Sequence, residues 1–236
     1  MTSAHTLADQ VLAKPANARE PQIFIGLDLG QVHDPTAIAI LDRTDFILDR
    51  NRATFAWNTD TRYAVRYLER VPLGTPYPDV VEHVRDLVHR PELKGATLVL
   101  DATGVGKPVL DMFKRAKLPC RIVPVTITGG DRQTCESDHW RVPKRDLITG
   151  LMVLFQAQKI DISGHLPEAK TFIRELGGMR VKISLDGNDK YGAWREGEHD
   201  EIVLRPAAPS GAARCSPPSQ SSRWLWESAP TRPSSP

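Results

Sequence analysis

Alternating apolar positions begin at residue 22 and predict a sheet-forming domain. Between residues 22 and 42, two apolar segments rich in β-branched residues, QIFIGLDLG and PTAIAILD, flank the short polar stretch QVHD. Two such segments on either side of a turn predict an antiparallel hairpin. The segment RYAVRYLERVPL, residues 62–73, alternates well enough to predict a third strand, although its spacing also admits a short helix.

After residue 76 the pattern changes to an alternation of helical and extended segments. A helix is predicted over 77–90, with a proline near its start and another after its end. Its apolar residues fall on one helical face: Val80, Val81, Val84, Leu87 and Val88. The remaining patterns predict, in order, a strand ATLVLD, a helix KPVLDMFKRAKL, a strand CRIVPVTIT, a helix VPKRDLITGLMVLFQAQK, a strand IDIS, a helix LPEAKTFIRELGGM and a hairpin RVKISLDGNDKYGAWREG. A hairpin-rich start followed by strand–helix alternation predicts an α/β fold, a mixed sheet flanked by helices.

The two ends of the chain differ in composition from this central region. Residues 1–21 are polar and rich in alanine, which predicts a flexible leader or linker remnant. Residues 205–236 are dense in Pro, Ser and Ala without periodicity, which predicts a disordered tail. A proline inside a helix costs about 3 kcal/mol, and Pro206 and Pro209 interrupt the apolar run that starts at DEIVL. Our hypothesis is that the tail derives from a frameshift and that the folded domain covers 22–204.

Composition adds few constraints. The chain of 236 residues has 31 Lys and Arg against 29 Asp and Glu, a net charge of +2 that is too weak to establish a nucleic-acid partner. Its three cysteines form no CxxC pair and no zinc-binding spacing. Because no apolar stretch reaches membrane-spanning length and no signal-peptide pattern is present, we expect a cytoplasmic protein.

Three acidic residues occupy positions where a carboxylate needs an explanation. Asp28 lies inside the first apolar strand, Asp101 ends the strand ATLVLD before a glycine turn, and Asp200 precedes the last apolar run. Burying a charge costs several kcal/mol unless it is paired. Acids at the strand ends of an α/β sheet line a common crevice, and three that converge there need divalent cations to offset their repulsion. Mg²⁺ and Mn²⁺ prefer such oxygen ligands, and two of these ions support phosphodiester cleavage.

Each acid also has a structural interpretation. Asp101 is equally suited to cap the glycine turn through backbone N–H groups, and Asp200 is suited to cap a helix. An internal salt bridge would explain Asp28. Asp34 precedes a proline and is expected to form a turn, while Glu201 points away from Asp200 in regular structure. Both are therefore assigned secondary roles.

Cationic residues near the predicted helices suit contacts with phosphate groups. The candidates for binding the DNA backbone are Lys114, Arg115, Lys117, Arg141, Lys144 and Arg145. Such contacts position DNA without reading its sequence. A solvated helix end explains Lys144 equally well. The modest net charge predicts weak, salt-sensitive binding by the isolated chain.

Four segments, taken together, resemble a known family. GLDLGQVHDPTAIAI, LVLDATGVGKPVLDMF, VPKRDLITGLMVLFQAQKIDI and GEHDEIV, in this order and spacing, are similar to the nuclease domain of the large terminase subunit of tailed phages and prophages. The resemblance covers residues 22–204 and implies an RNase H-like fold. It also implies a two-metal-ion endonuclease using Mg²⁺ or Mn²⁺, with Asp28, Asp101 and Asp200 as the catalytic and metal-binding carboxylates. The implied role is cleavage of concatemeric double-stranded DNA during packaging, in the bacterial host cytoplasm.

The chain departs from the family pattern in two ways. GVGKP is a poor match to an ATPase phosphate-binding loop, since Asp101 and Pro108 stand where that loop has Gly and Ser or Thr. A terminase ATPase, a small subunit and the portal are therefore expected as separate partners. Proline after Asp200 interrupts the expected last helix, which leaves a weak or inactive DNA-binding packaging remnant as one alternative.

Two further alternatives stay open. IGLDLG and DATGVG also resemble the phosphate-binding turns of ATP-binding proteins of the actin and sugar-kinase type. A junction-resolving nuclease of the same fold would share the chemistry and differ in its substrate.

Overall fold

The computed structural model describes residues 17–30, 34–182 and 190–193. The strands are β1 (Gln22–Asp28), β2 (Ala37–Arg50), β3 (Trp57–Arg70), β4 (Thr97–Asp101), β5 (Arg121–Thr128), β6 (Thr134–Glu136), β7 (His139–Pro143), β8 (Ile160–Ile162), β9 (Met179–Lys182) and β10 (Lys190–Ala193). The helices are α1 (Tyr77–Val88), α2 (Gly106–Arg115), α3 (Lys144–Gln156) and α4 (Ala169–Gly178), and a short 3₁₀ helix covers Pro91–Leu93.

Eight strands form one mixed sheet in the order β6-β7-β5-β4-β1-β2-β3-β8. β1, β2 and β3 pair antiparallel, whereas β1, β4, β5 and β7 run parallel to one another. Because β3 is parallel to β1, five strands end at the same side of the sheet, which we call the carboxyl edge. The residues that end these strands are Asp28, Arg70, Asp101, Thr128 and Pro143. The opposite side, where β1, β4 and β5 begin, is the amino edge.

Helices pack on both faces of the sheet, as the alternation of side chains in β1 requires. Ile25 and Leu27 face a core that contains Val84 of α1 and Phe113 of α2. Phe24 faces the other core, which contains Leu151 of α3 and Phe172 of α4. We refer to these as the α1/α2 face and the α3/α4 face.

The antiparallel pair β2–β3 extends far beyond the rest of the sheet. Each strand has 14 residues, but β1 pairs only with Ala37–Arg43 of β2. Past that point, the backbone groups of Asn17 and Arg19 bond to Ile47 and Asp45. The remainder of the pair is an arm that projects from the amino edge.

The predicted α/β class and the helix-flanked mixed sheet are confirmed. The segment 62–73 contributes to a strand, so the helical alternative for it is wrong. Sequence reasoning missed the β6–β7 hairpin and attached its second strand to the helix that follows. The turn between these strands uses Ser137 and Asp138, both at positive φ (49° and 66°), without the Asn-Gly or Asp-Gly pair that usually marks such a turn.

The predictions for the two chain ends fall almost entirely outside the described residues. Residues 1–16 and 194–236 belong to this undescribed part, so the leader, the disordered tail and the frameshift stay predictions. Ala18, near the end of the predicted leader, is buried and bridges to Phe46. No helix in the described ranges has the length and apolar character that a membrane crossing requires.

Candidate active site

Asp28 and Asp101 end neighbouring parallel strands in the same register. β1 and β4 pair through Leu27 opposite Leu100, so each aspartate is the next residue along its strand. Neighbouring strands lie about 5 Å apart. The sequence-predicted carboxylates Asp28 and Asp101 are therefore side by side at the carboxyl edge.

The two aspartates also project from the same face of the sheet. Side chains alternate along a strand, so Asp28 shares the face of Phe24, which packs in the α3/α4 core. Asp101 shares the face of Val99, which packs near Leu147 of α3. Across β2, the residue opposite Asp28 is Ala37, a small residue that leaves space beside the carboxylate.

Backbone hydrogen bonds fix the orientation of Asp101. Its Oδ1 accepts a hydrogen bond of 2.6 Å from the backbone N–H of Thr103, and the residue is only 6% exposed. The loop that follows is bound to β5, because Thr103 Oγ1 accepts from the N–H of Ile127 at 2.8 Å and Ala102 N–H donates to Val125 at 2.7 Å. Asp101 thus caps the glycine turn, as one interpretation predicts, while standing beside Asp28.

Thr36 binds the backbone of Gly30, two residues after Asp28. Its hydroxyl donates to the carbonyl of Gly30 at 3.0 Å and accepts from the N–H of the same glycine at 3.2 Å. A Cβ at Gly30 would lie 2.0 Å from the backbone oxygen of Asp34, so this close approach needs glycine. Asp34 is exposed at a bend just before Pro35, and its turn-forming role stays a prediction.

The predicted DNA-binding cations lie at different edges of the sheet. Lys144 and Arg145 begin α3 directly after β7, at the carboxyl edge. Arg145 forms ion pairs with Asp131 (3.2 Å) and Asp146 (3.9 Å). Three other cations lie near the amino edge, because α2 runs from the end of β4 to the start of β5. They are Lys114 and Arg115 in α2, and Lys117 just after its C-cap. A helix of 10 residues spans about 15 Å.

Arg141 lies level with the aspartates but on the opposite face of the sheet. It follows Trp140, which is in register, through β5, with the aspartate that ends β4. Because Trp140 packs toward α3, the side chain of Arg141 projects from the α1/α2 face. Nearby, His139 Nε2 lies 2.8 Å from Thr126 Oγ1. Burial lowers the pKa of His139, and the positive charges of Arg141 and Lys114 lower it further. Both cations are therefore close to this histidine.

Sequence reasoning missed two cations at the carboxyl edge. Lys107 is exposed in the first turn of α2, and Arg132 is exposed in the connection from β5 to β6. Within the described residues, neither Lys107 nor Arg132 forms an ion pair. Lys107 was detectable, because it follows the glycine turn that begins at Asp101; Arg132 has no comparable signal.

Arg70 is a further cation at the carboxyl edge, and it is bound to α4. It lies opposite Ala37 on β3, in the same cross-strand row as Asp28. Its guanidinium forms ion pairs with Glu175 and, at 3.8 Å, with Glu168. Arg70 thus connects α4 to the sheet beside the candidate site.

Two predicted acids, Asp200 and Glu201, lie outside the described residues. Within residues 17–30, 34–182 and 190–193, no cluster of three acidic, histidine or cysteine residues is placed to hold a metal ion. Asp28 and Asp101 therefore supply two carboxylates, and a third protein ligand would come from elsewhere in the chain.

The strand order, the helices on both faces and the paired strand-end acids define an RNase H-like fold. The structure of the large terminase nuclease from thermophilic phage G20c is similar to this chain, with a TM-score of 0.53 and 22% sequence identity over 81% of this chain and 86% of that one. The resemblance to large terminase nuclease domains is thus confirmed at the level of the fold.

Two other solved structures are similar at TM-scores below 0.5. The nuclease domain of the large terminase subunit gp2 of bacterial virus Sf6 has a TM-score of 0.47 and 11% identity, covering 72% of this chain and 76% of that one. The G20c nuclease with bound zinc has a TM-score of 0.46 and 21% identity, covering 81% and 85%. No protein-family model and no curated protein sequence matches the chain.

Proposed function

We propose that this chain is a metal-dependent endonuclease of the terminase type, which cuts double-stranded DNA at the carboxyl edge of its sheet. The observation that carries the proposal is the in-register pair of Asp28 and Asp101 on one face. The RNase H-like fold shared with a terminase nuclease supports it. Neither observation depends on the undescribed parts of the chain.

The two carboxylates suit a hard divalent cation such as Mg²⁺ or Mn²⁺. Like charges about one strand spacing apart repel each other, and a shared cation offsets that repulsion. The Thr103 N–H donates to Oδ1 of Asp101 and so holds this carboxylate in place. We assign Asp28 and Asp101 as ligands, with Asp200 as the third and Glu201 as an outer helper. Two bound ions would activate a water molecule and stabilise the leaving oxygen.

The DNA backbone crosses the carboxyl edge in this proposal. Lys144 and Arg145, together with Lys107 and Arg132, are placed to contact phosphates next to the bond that is cut. The amino-edge cations contact phosphates farther along the duplex, since α2 is about 15 Å long and one base pair rises about 3.4 Å. These amino-edge contacts involve Lys114, Arg115 and Lys117, while Arg141 contacts the DNA backbone from the α1/α2 face of the carboxyl edge.

The biological role follows from the terminase-type fold. We propose that the chain cuts concatemeric viral DNA during packaging in the bacterial cytoplasm, together with an ATPase motor, a small subunit and the portal. The net charge of +2 supports a dependence on such partners, because binding by phosphate contacts alone would be weak at physiological salt.

A plasmid-nicking assay with Mn²⁺ tests the proposal. Asp28→Asn and Asp101→Asn keep the side-chain shape but remove a charged ligand, so each should reduce nicking by more than about 100-fold. Asp111→Asn, an exposed position on α2, is the matched control and should leave the rate unchanged. If each of the two active-site variants still nicks the plasmid at the wild-type rate, the assignment of Asp28 and Asp101 to the active site is wrong.

Two other results would favour the alternatives. A wild-type protein that binds DNA without cutting it in either Mn²⁺ or Mg²⁺ would indicate the inactive packaging remnant. Calorimetric binding of ATP would favour the actin and sugar-kinase interpretation.

A further inference from the structure

The tip of the β2–β3 arm, residues 48–57, exposes large apolar side chains. Leu48 is 63% exposed, Phe55 67% and Trp57 52%. Single exposed apolar residues are common on proteins, whereas a contiguous group usually marks an interaction site. All three residues lie within one short loop and the strand ends that flank it.

Hydrogen bonds within the loop hold this tip in a defined shape. Asn51 Oδ1 accepts from the backbone N–H groups of Ala53 at 2.9 Å and Thr54 at 3.1 Å. The N–H of Asn51 donates to the carbonyl of Ala56 at 2.8 Å. These hydrogen bonds all lie within the loop itself.

The backbone of Phe55 is strained, and its ring is nevertheless directed outward. Its φ of 54° lies in the left-handed region, which Asn and Asp adopt more readily than other non-glycine residues. Arg50 supports both rings, with its guanidinium 5.4 Å from the centre of Phe55 and 5.9 Å from that of Trp57. Arg50 Nε also donates to the Phe55 carbonyl at 3.3 Å. Such an ordered aromatic tip loses little conformational freedom on binding.

The tip is far from the candidate active site. Asp28 pairs with Ala37, and thirteen further residues of β2 lead to Arg50. At about 3.4 Å per residue this distance is about 44 Å. The tip therefore lies outside the site at which we propose that DNA is cut.

We propose that the arm tip docks into an apolar pocket, rimmed by carboxylates, on a partner protein. Aromatic residues and arginine are the types that dominate the centres of protein interfaces. Arg50 and Arg52 outnumber the single acid Asp49, whose Oδ1 already accepts from Asn58 at 2.8 Å. This excess of positive charge favours a partner whose pocket has an acidic rim. A nucleic-acid site would need a longer row of cations.

Selection from a random dodecapeptide library tests the chemistry of this surface, with affinities of synthetic peptides then measured by fluorescence anisotropy. The selected peptides should combine large apolar residues with Asp or Glu, and their affinity should fall at least tenfold for Phe55→Asn and Trp57→Ser. Leu73→Ser is the matched control and should bind normally, because Leu73 is 57% exposed beyond the end of β3, at the other end of the strand. Circular dichroism checks that each variant folds.

Three results would overturn the proposal. The first is a selection that gives no specific peptide, acid-free peptides, or peptides that bind Phe55→Asn and Trp57→Ser normally. The second is a wild-type dimer, seen by sedimentation, that Trp57→Ser dissociates, since the occupant would then be a second copy. The third is a loss of affinity for a fluorescent duplex or single-stranded oligonucleotide in Trp57→Ser. None of these measurements depends on nuclease activity.

Discussion

The carboxyl edge and the arm tip lie at opposite ends of β2. Each departs from the usual pattern of polar residues outside and apolar residues inside, but in the opposite way. At the carboxyl edge a carboxylate, Asp101, is buried and oriented by a backbone N–H. At the arm tip two aromatic rings, Phe55 and Trp57, are exposed and supported by an arginine. In both regions a short loop with its own hydrogen bonds holds an unfavourable arrangement in place. Both regions are therefore ordered in advance of binding, which suits the cations that we propose for one and the protein partner that we propose for the other.

The largest effect on the carboxyl edge is expected from Gly30→Ala. The added Cβ would lie 2.0 Å from the Asp34 carbonyl, so the turn after Asp28 has to move. We expect a loss of about 3 kcal/mol in the free energy of unfolding, measured by urea denaturation, together with loss of nicking. Gly129→Ala is the control, since no atom lies within 4 Å of its Cβ position. An equal, small effect of the two substitutions would show that the turn is not rigid.

A second effect separates the cations of the two edges. Lys107→Gln with Arg132→Gln should weaken binding to a duplex of about 30 base pairs by more than about tenfold and should also lower the nicking rate at saturating DNA, because these residues contact phosphates beside the cut bond. Lys114→Gln with Arg115→Gln should weaken binding but leave the saturated nicking rate unchanged, because these residues lie about 11 Å farther along α2. Each lost phosphate contact should reduce the salt dependence of log K by about 0.9. The opposite pattern between the two pairs would place the DNA at the amino edge.

The sequence predicted the elements of the site but not all of their placement. The apolar runs around Asp28 and Asp101 identify two strand ends, whereas the register that sets them side by side depends on pairing between segments far apart in the chain. The direction of α2 was implied by the strand–helix–strand order. Charge alone had grouped Lys114 with Lys144, although the connection from β4 to β5 carries Lys114 to the other edge. Exposure of Phe55 had no sequence signal, since its conformation depends on the Asn51 loop.

A smaller effect is expected from Thr103→Val, which removes the acceptor for the Ile127 N–H. Loss of this bond should cost about 1 kcal/mol in the free energy of unfolding and reduce nicking by loosening the loop after Asp101. Thr149→Val, exposed on α3, is the comparison variant and should change neither quantity. Full nicking activity in Thr103→Val would mean that the loop does not position Asp101.

The smallest effect concerns His139, whose pKa is lowered in the folded protein by burial and then by Arg141 and Lys114. As the pH falls below the ordinary histidine value of 6.5, the unfolded chain takes up this proton before the folded one does. The wild type should therefore lose stability below that pH relative to His139→Gln, and the two should run in parallel above it. Unfolding midpoints measured between pH 5 and 8 check this. A parallel pH dependence over the whole range would contradict the lowered pKa.

The most direct test of the paired carboxylates is a crystal structure of the protein soaked in Mn²⁺, with anomalous scattering used to locate the metal. We predict an anomalous peak at the carboxyl edge, about 2 Å from oxygens of both Asp28 and Asp101, and its loss in Asp101→Asn crystals. Aspartates turned apart, or neutralised by neighbouring cationic side chains with no manganese between them, would contradict the proposed nuclease.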